Sequence, residues 1–374
     1  MIQKSAIKVI KVGGSILSNS DEFLNVALKI RDESYKNPEI IVVISAMKGV
    51  TDRLIEISRN SNQEVLRSIL EIVDMYPIFP KLKWDPGKFE DILCGKIKEI
   101  SIDQLITIGE RLSSLSLHSL LGNLGIRSTI IDPGDIIYYE GNEKLPSYSP
   151  SNYSDFKLLE STPVRIVPGF YGRDKEGNIK AFSRGGSDLT AGIVAGYFEA
   201  SELEFWKDVG AVMTGDPKIV ESPRPIFSIN MTMLSEMTAI GSRILHPLSL
   251  EYVDLELTRV RIRGIDSNLE TTTEVVNFSV NCLSIVISKN SDEDRNYENY
   301  LENEDAGIYV LTGGEPEFLN SISSRVRNFF EMIGSGISGK LAQENGMISF
   351  RSSYSECRKI ANELHRDLFS GDRS

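Results

Sequence analysis

The chain has 374 residues, with 41 Lys and Arg against 53 Asp and Glu, a formal net charge of −12. Hydrophobic residues make up 41% and charged residues 25%, ordinary globular usage that excludes a disordered or fibrous chain and allows two or three domains at about 150 residues each. The acidic excess argues against nucleic-acid partners, and the longest apolar run, at 40–44, is far below the roughly 20 residues of a membrane span. Cys94, Cys282 and Cys357 are odd in number and scattered, as are His118, His246 and His365, which excludes a disulfide framework and a zinc site. Residues 1–20 lack the apolar region of a secretory leader, so the expected location is the cytoplasm.

In chain order, Ile7–Val12 alternates loosely and runs into Gly13-Gly14, which reads as a strand entering a tight turn. Residues 21–36 carry Phe23, Leu24, Ala27, Leu28 and Ile30 at helical spacing, with Asp21 as the expected cap. The β-branched run at 39–45 is apolar on both faces, as in a strand buried within a parallel sheet, so the first elements make a βαβ unit. Helical periodicity dominates 51–120, with stripes at Leu54, Ile55 and Ile57, at Val65, Leu66, Ile69, Leu70 and Val73, and from Ile102 through Leu117, and with a break at 77–80. Strands resume at 128–131, 164–169 and 202–206, and a Gly/Ser-rich loop at 183–187 opens a helix through Leu189, Ala191, Ile193 and Val194.

The expected fold class is therefore α/β, a central and mainly parallel sheet sandwiched by helices over 1–266, with a helical insertion at about 53–120. A polar linker at 267–280 follows, and then a small α+β module at 281–374. Its strands are expected at 282–287, 307–311 and 347–351, its helices at 322–332 and 357–369, and a solvated acidic loop at 291–305.

Several loops carry chemistry. Lys11 with Gly13, Gly14 and Ser15 offers a cation and close-approaching amides, which suit phosphoryl oxygens; a plain strand-to-helix turn with a snorkelling lysine explains the same residues. Ser45 and Ala46 open a second loop, in which Thr51 or Asp52 reads by itself as a helix cap ahead of a substrate contact. Glu110 and Arg111 sit side by side within an apolar helix, as a salt bridge or as receivers of an ammonium and a carboxylate. Arg184, Gly185, Gly186, Ser187 and Asp188 combine a glycine pair with three polar side chains at a helix start, more than a cap requires. The run at 206–218 reads as an irregular connection, and His246 as a structural histidine.

Taken in order, "KVGGS", "VVISAMKGVTD", "ITIGERLSSLSLHSLL", "VPGFYG", "FSRGGSDLTA", "WKDVGAVMTGDPKIV" and "GSRILHP" resemble successive blocks of the aspartokinases, within the amino-acid kinase family, across 8–250. The resemblance implies ATP- and Mg²⁺-dependent phosphorylation of the β-carboxylate of L-aspartate. Lys11 and Asp188 would be catalytic. Lys11, Gly13, Gly14, Ser15, Lys207, Asp208, Met213, Asp216, Lys218 and Arg243 would bind ATP. Ser45, Ala46, Thr51, Glu110, Arg111, Arg184 and Ser187 would bind aspartate, and no protein metal site is implied. The chain departs from the family where Val12 and Ser15 replace the usual Phe and Thr, Lys207 a threonine and Arg243 a lysine. The C-terminal strand and helix resemble an ACT domain, one recognisable unit preceded by a reduced remnant. That implies a homo-oligomer and an amino-acid effector such as lysine or threonine. Two alternatives stand beside this reading: an amino-acid kinase with a different substrate, and a catalytically silent regulatory subunit.

Overall fold

The computed structural model describes residues 7–59, 62–77, 101–139, 146–148, 162–183, 185–242, 244–246, 248–266, 271–289, 305–333, 340–344 and 347–369. Arg184, Arg243, the expected break at 78–80 and the acidic loop at 291–304 lie outside the described residues. Two compact units form: Met1–Val209 with Leu248–Asp266, and Gly210–Pro247 with Ser267–Ser374. The segment 210–247, which the sequence places with the first domain, is thus grouped with the C-terminal module.

The sheet of the first unit contains β1 (Ile7–Val12), β2 (Glu39–Ile44), β3 (Ser128–Ile130), β4 (Val164–Pro168), β5 (Glu202–Lys207) and β6 (Arg259–Gly264). Their order is β6-β5-β1-β2-β4-β3, with every neighbouring pair parallel. Parallel pairing needs crossovers, and the helices supply them: α1 (Ser20–Ser34), α2 (Val50–Ile57), α3 (Asn62–Met75), α4 (Ile102–Ile106), α5 (Ile108–Asn123) and α6 (Gly186–Tyr197). Ile10, Val12, Val42 and Ile44 share one core with Phe23, Val26, Leu54, Ile69, Leu112 and Leu117. Each such fully buried side chain contributes about 1.5–3 kcal/mol relative to exposure. Register places Val12 opposite both Ile44 and Trp206, so β1, β2 and β5 end level.

Local chemistry differs from the sequence expectation in three places. Asn19, not Asp21, caps α1, its side-chain oxygen accepting from the amides of Asp21 and Glu22. Gly49, in the left-handed conformation at φ 80°, caps α2, so Thr51 and Asp52 lie inside that helix rather than at its cap. The stripe from Ile102 is split between α4 and α5 at Thr107, whose hydroxyl donates back to the carbonyls of Asp103 and Gln104 at 3.0 and 3.1 Å. Such back-bonding competes with continuous helix.

The second unit pairs β7 (Thr272–Val276) in parallel with Ser228–Asn230. β7 falls inside the expected linker. Its Thr-Thr-Glu-Val-Val sequence is polar in composition but β-branched, with Thr273 and Val275 buried. The ACT-like sheet contains β8 (Cys282–Lys289), β9 (Asp305–Gly313), β10 (Lys340–Glu344) and β11 (Met347–Ser353), antiparallel in the order β8-β9-β11-β10. Its helices are α8 (Pro316–Ile333) and α9 (Tyr354–Phe369), while α7 (Met231–Ile240) packs on β9 and on the strand that precedes it. Pro316 stands at the first position of α8, where its missing N–H costs nothing. The upstream strand β8 thus completes a four-stranded module.

The 212–224 segment is fastened to that module. The Ile285 amide donates to the Thr214 carbonyl at 2.9 Å, and Thr214 Oγ1 lies 2.8 Å from His365 Nε2. The Asn362 side-chain amide donates to the Ile219 carbonyl at 2.7 Å, and its oxygen accepts from the Glu221 amide at 2.9 Å. Among the described residues no helix is long and apolar enough to cross a membrane.

Candidate active site

In the first unit the level ends of β1, β2 and β5 gather several of the residues that the sequence singles out. Loops following the carboxyl ends of parallel strands are where ligands approach such sheets. Lys11, near the end of β1, is 7% exposed, and its Nζ lies 2.7 Å from Asp188 Oδ1. Asp188 sits in the first turn of α6, whose cap, Gly185, has φ 84°. The turn after β1 is a single 3₁₀ turn (Gly14–Ile16), and α1 starts only at Ser20, so the glycine pair leads into turn amides rather than a helix N-terminus. A Cβ on Gly14 would stand 2.7 Å from the Ala46 carbonyl oxygen, which ties this position to glycine by the closeness of the two loops. Ser15 Oγ donates to Asp208 Oδ1 at 2.9 Å, linking the first loop to the end of β5.

Lys207 closes β5. Burial pushes its ammonium below the usual value; Asp188 opposes that shift and Lys11 reinforces it. Lys207, Lys11 and Asp188 therefore lie within electrostatic reach of one another, so the residue that departs from the family pattern is built into the charged cluster.

Glu110, in the first turn of α5, is 3% exposed and its Oε2 has no hydrogen-bond partner among the described residues. Burial pushes its carboxyl up to about 8, against the hydrogen bonds of its own and the Ala46 amide and the attraction of Lys11. Glu110 and Arg111, being adjacent on a helix, do not share a face. A carboxylate that is buried and short of partners is matched to a cationic group brought by a ligand.

Ser187 is buried beside Gly169, where a Cβ would stand 2.7 Å from the serine Cβ. Thr190 Oγ1 accepts the Phe170 amide at 3.0 Å, holding that residue at φ 78°. Met213, Asp216 and Lys218 belong to the other unit, in the segment fastened to α9. There Asp216 Oδ1 accepts the Lys218 amide at 2.8 Å.

Sequence reasoning missed Phe170, Thr190 and Tyr76. Tyr76 is the buried residue after α3; its Oη accepts the Met47 amide at 3.1 Å and donates to the Gly109 carbonyl at 3.0 Å. Its only signal is a tyrosine closing a helical stripe just before Pro77.

The fold is that of an α/β protein whose parallel sheet brings Lys11, Asp188 and Lys207 together at its strand ends. A family model described as "Amino acid kinase family" matches residues 6–264, and the chain belongs to that family. It is 24% identical over 88% of its length to a bifunctional aspartokinase/homoserine dehydrogenase of Buchnera aphidicola, spanning 42% of that protein. It is 27% identical over 64% of its length to an aspartokinase of Helicobacter pylori, spanning 52% of it. The chain thus spans about half the length of these curated relatives. In fold it matches E. coli aspartokinase III, solved with aspartate and ADP, at a TM-score of 0.73 and 17% identity, over 97% of this chain and 100% of that one.

Proposed function

We propose that the chain transfers the γ-phosphoryl group of ATP to the β-carboxylate of L-aspartate, giving 4-phospho-L-aspartate and ADP. The Lys11–Asp188 pair, held at 2.7 Å with Lys207 beside it and buried Glu110 nearby, carries this reading. Phosphoryl transfer asks for positioning and charge neutralisation rather than covalent help. Lys11 stabilises the transferring group, and Asp188 holds Lys11 in place. The nucleophile is a carboxylate, ionised at neutral pH, so no general base is needed. Glu110 receives the ammonium of aspartate, with Ser45, Ala46, Thr51, Arg111, Arg184 and Ser187 around the substrate. Gly13, Gly14, Ser15, Lys207, Asp208, Met213, Asp216, Lys218 and Arg243 attend the nucleotide.

Mg²⁺ comes with the nucleotide and neutralises phosphate charge when bound. The described residues suit an ion held mainly by phosphate oxygens and water. Asp188 pairs with Lys11, and Asp208 accepts from Ser15. Residues 1–266 form the catalytic domain in this reading, and 281–374 an ACT-like part that supports a homo-oligomer and receives lysine or threonine. Aspartate, Mg-ATP and hydroxylamine should yield the hydroxamate, and each effector is added to the same assay. Failure to form product with aspartate but turnover of another carboxylate or phosphate would favour the neighbouring kinase reading.

A further inference from the structure

Tyr76 is a buried, hydrogen-bonded phenol that the proposed chemistry leaves unused. Its ring meets Phe23 edge-on at 5.9 Å, which fixes the hydroxyl at the end of a rigid lever. That one oxygen accepts from the Met47 amide and donates to the Gly109 carbonyl, at 3.1 and 3.0 Å. Met47 follows Ser45 and Ala46 in the loop after β2, and Gly109 precedes Glu110 in the first turn of α5. The two segments already touch: a Cβ on Gly109 would stand 2.6 Å from the Ala46 Cβ and 3.0 Å from Val50 Cγ1. Across this gap the Ala46 amide favours the charged form of the Glu110 carboxyl. Burial holds the phenol far above its usual range, so it remains a neutral group able to donate and accept at once.

We infer that Tyr76 is a positioning residue for substrate recognition: its hydroxyl joins the loop after β2 to the start of α5 and sets the spacing between the Ala46 amide and the Glu110 carboxylate. The inference rests on the aspartate reading only for the identity of the amino acid whose ammonium Glu110 receives. Phenylalanine keeps the ring but removes the acceptor of the buried Met47 amide and the donor to the Gly109 carbonyl, and the loop must shift to find a new partner.

The test compares Tyr76→Phe with Phe23→Leu, a packing change in the same contact that spares the hydroxyl. Tyr76→Phe should speed hydrogen exchange at the amides of 46–47. It should also raise KM for aspartate about tenfold, with KM for ATP moving less than about twofold. Phe23→Leu should lower Tm without that split. Unchanged exchange at 46–47, or equal changes in both KM values, overturns the inference. Exchange is read without turnover, so it decides the clamp even if the wild type fails to phosphorylate aspartate, which would count against the parent reading alone.

Discussion

Lys8 and Lys11 stand three residues apart on one strand, both nearly buried, and face different surroundings. Lys8 Nζ lies 2.9 Å from Glu33 and 3.1 Å from both Glu202 and Glu204, and Arg261 pairs with the latter two. The Trp206 indole also donates to Glu204 at 2.9 Å. Among the described residues Lys11 pairs at contact distance with one carboxylate, Asp188, at the end of the strand where three loops converge. A cation saturated by fixed partners ties strands and helix together. A cation with one fixed partner, at the mouth of a sheet, can answer to a ligand. Burial alone does not separate structure from chemistry; the number of resident counter-charges does.

Four substitutions can break or sharpen that contrast. Lys11→Ala should lower kcat by about a thousandfold while leaving Tm within a few degrees, checked by the hydroxamate assay and calorimetry. A large loss of stability with unchanged kcat would put Lys11 in the same class as Lys8.

Glu110→Gln should cut kcat/KM for aspartate by about a hundredfold. In the wild type, kcat/KM for aspartate should rise with pH until about 8, as Glu110 ionises in the free protein, and the variant should lose that limb. Because the folded pKa lies above the ordinary 4.5, the native state binds the extra proton, and Glu110 costs stability increasingly as pH rises from 4.5 to 8. The variant should therefore melt higher than wild type at pH 8, measured by calorimetry.

Lys8→Ala leaves buried carboxylates short of a partner and should cost about 3–5 kcal/mol, a drop of roughly 10 °C in Tm, with kcat of the folded fraction retained.

The smallest effect belongs to Glu33. Burial would raise its carboxyl, but hydrogen bonds from Lys8 and Lys36 outweigh that and hold it at about 2. Its contribution is complete above the ordinary 4.5 and is lost as pH falls from there toward 2. Glu33→Gln should flatten the acid side of the Tm–pH curve over that window.

Much of this was legible in the sequence, because parallel strands advertise themselves by apolar runs and glycine pairs mark close loop approaches. Lys11 and Asp188 pair directly, and Glu110 and Lys207, the latter breaking the family pattern, lie within electrostatic reach of Lys11. What escaped has physical causes. β7 hid behind threonines, whose polarity reads as linker while their branching favours strand. The Thr107 break depends on a hydroxyl choosing the backbone, which periodicity does not register. Tyr76 acts through contacts 29 and 33 residues away in sequence, and no local pattern encodes them.

The fastening of 212–224 to α9 bears on synthesis. Asn362 holds Ile219 across 143 residues of chain, so the segment bearing Met213, Asp216 and Lys218 leaves the ribosome long before its anchor exists. The first unit is likewise interrupted and finished only once 248–266 has emerged. A nascent chain can begin its parallel sheet early, yet the second unit closes only when α9 is made, and a ribosome stalled before α9 would carry that segment with β8 as its anchor and without Asn362 and His365.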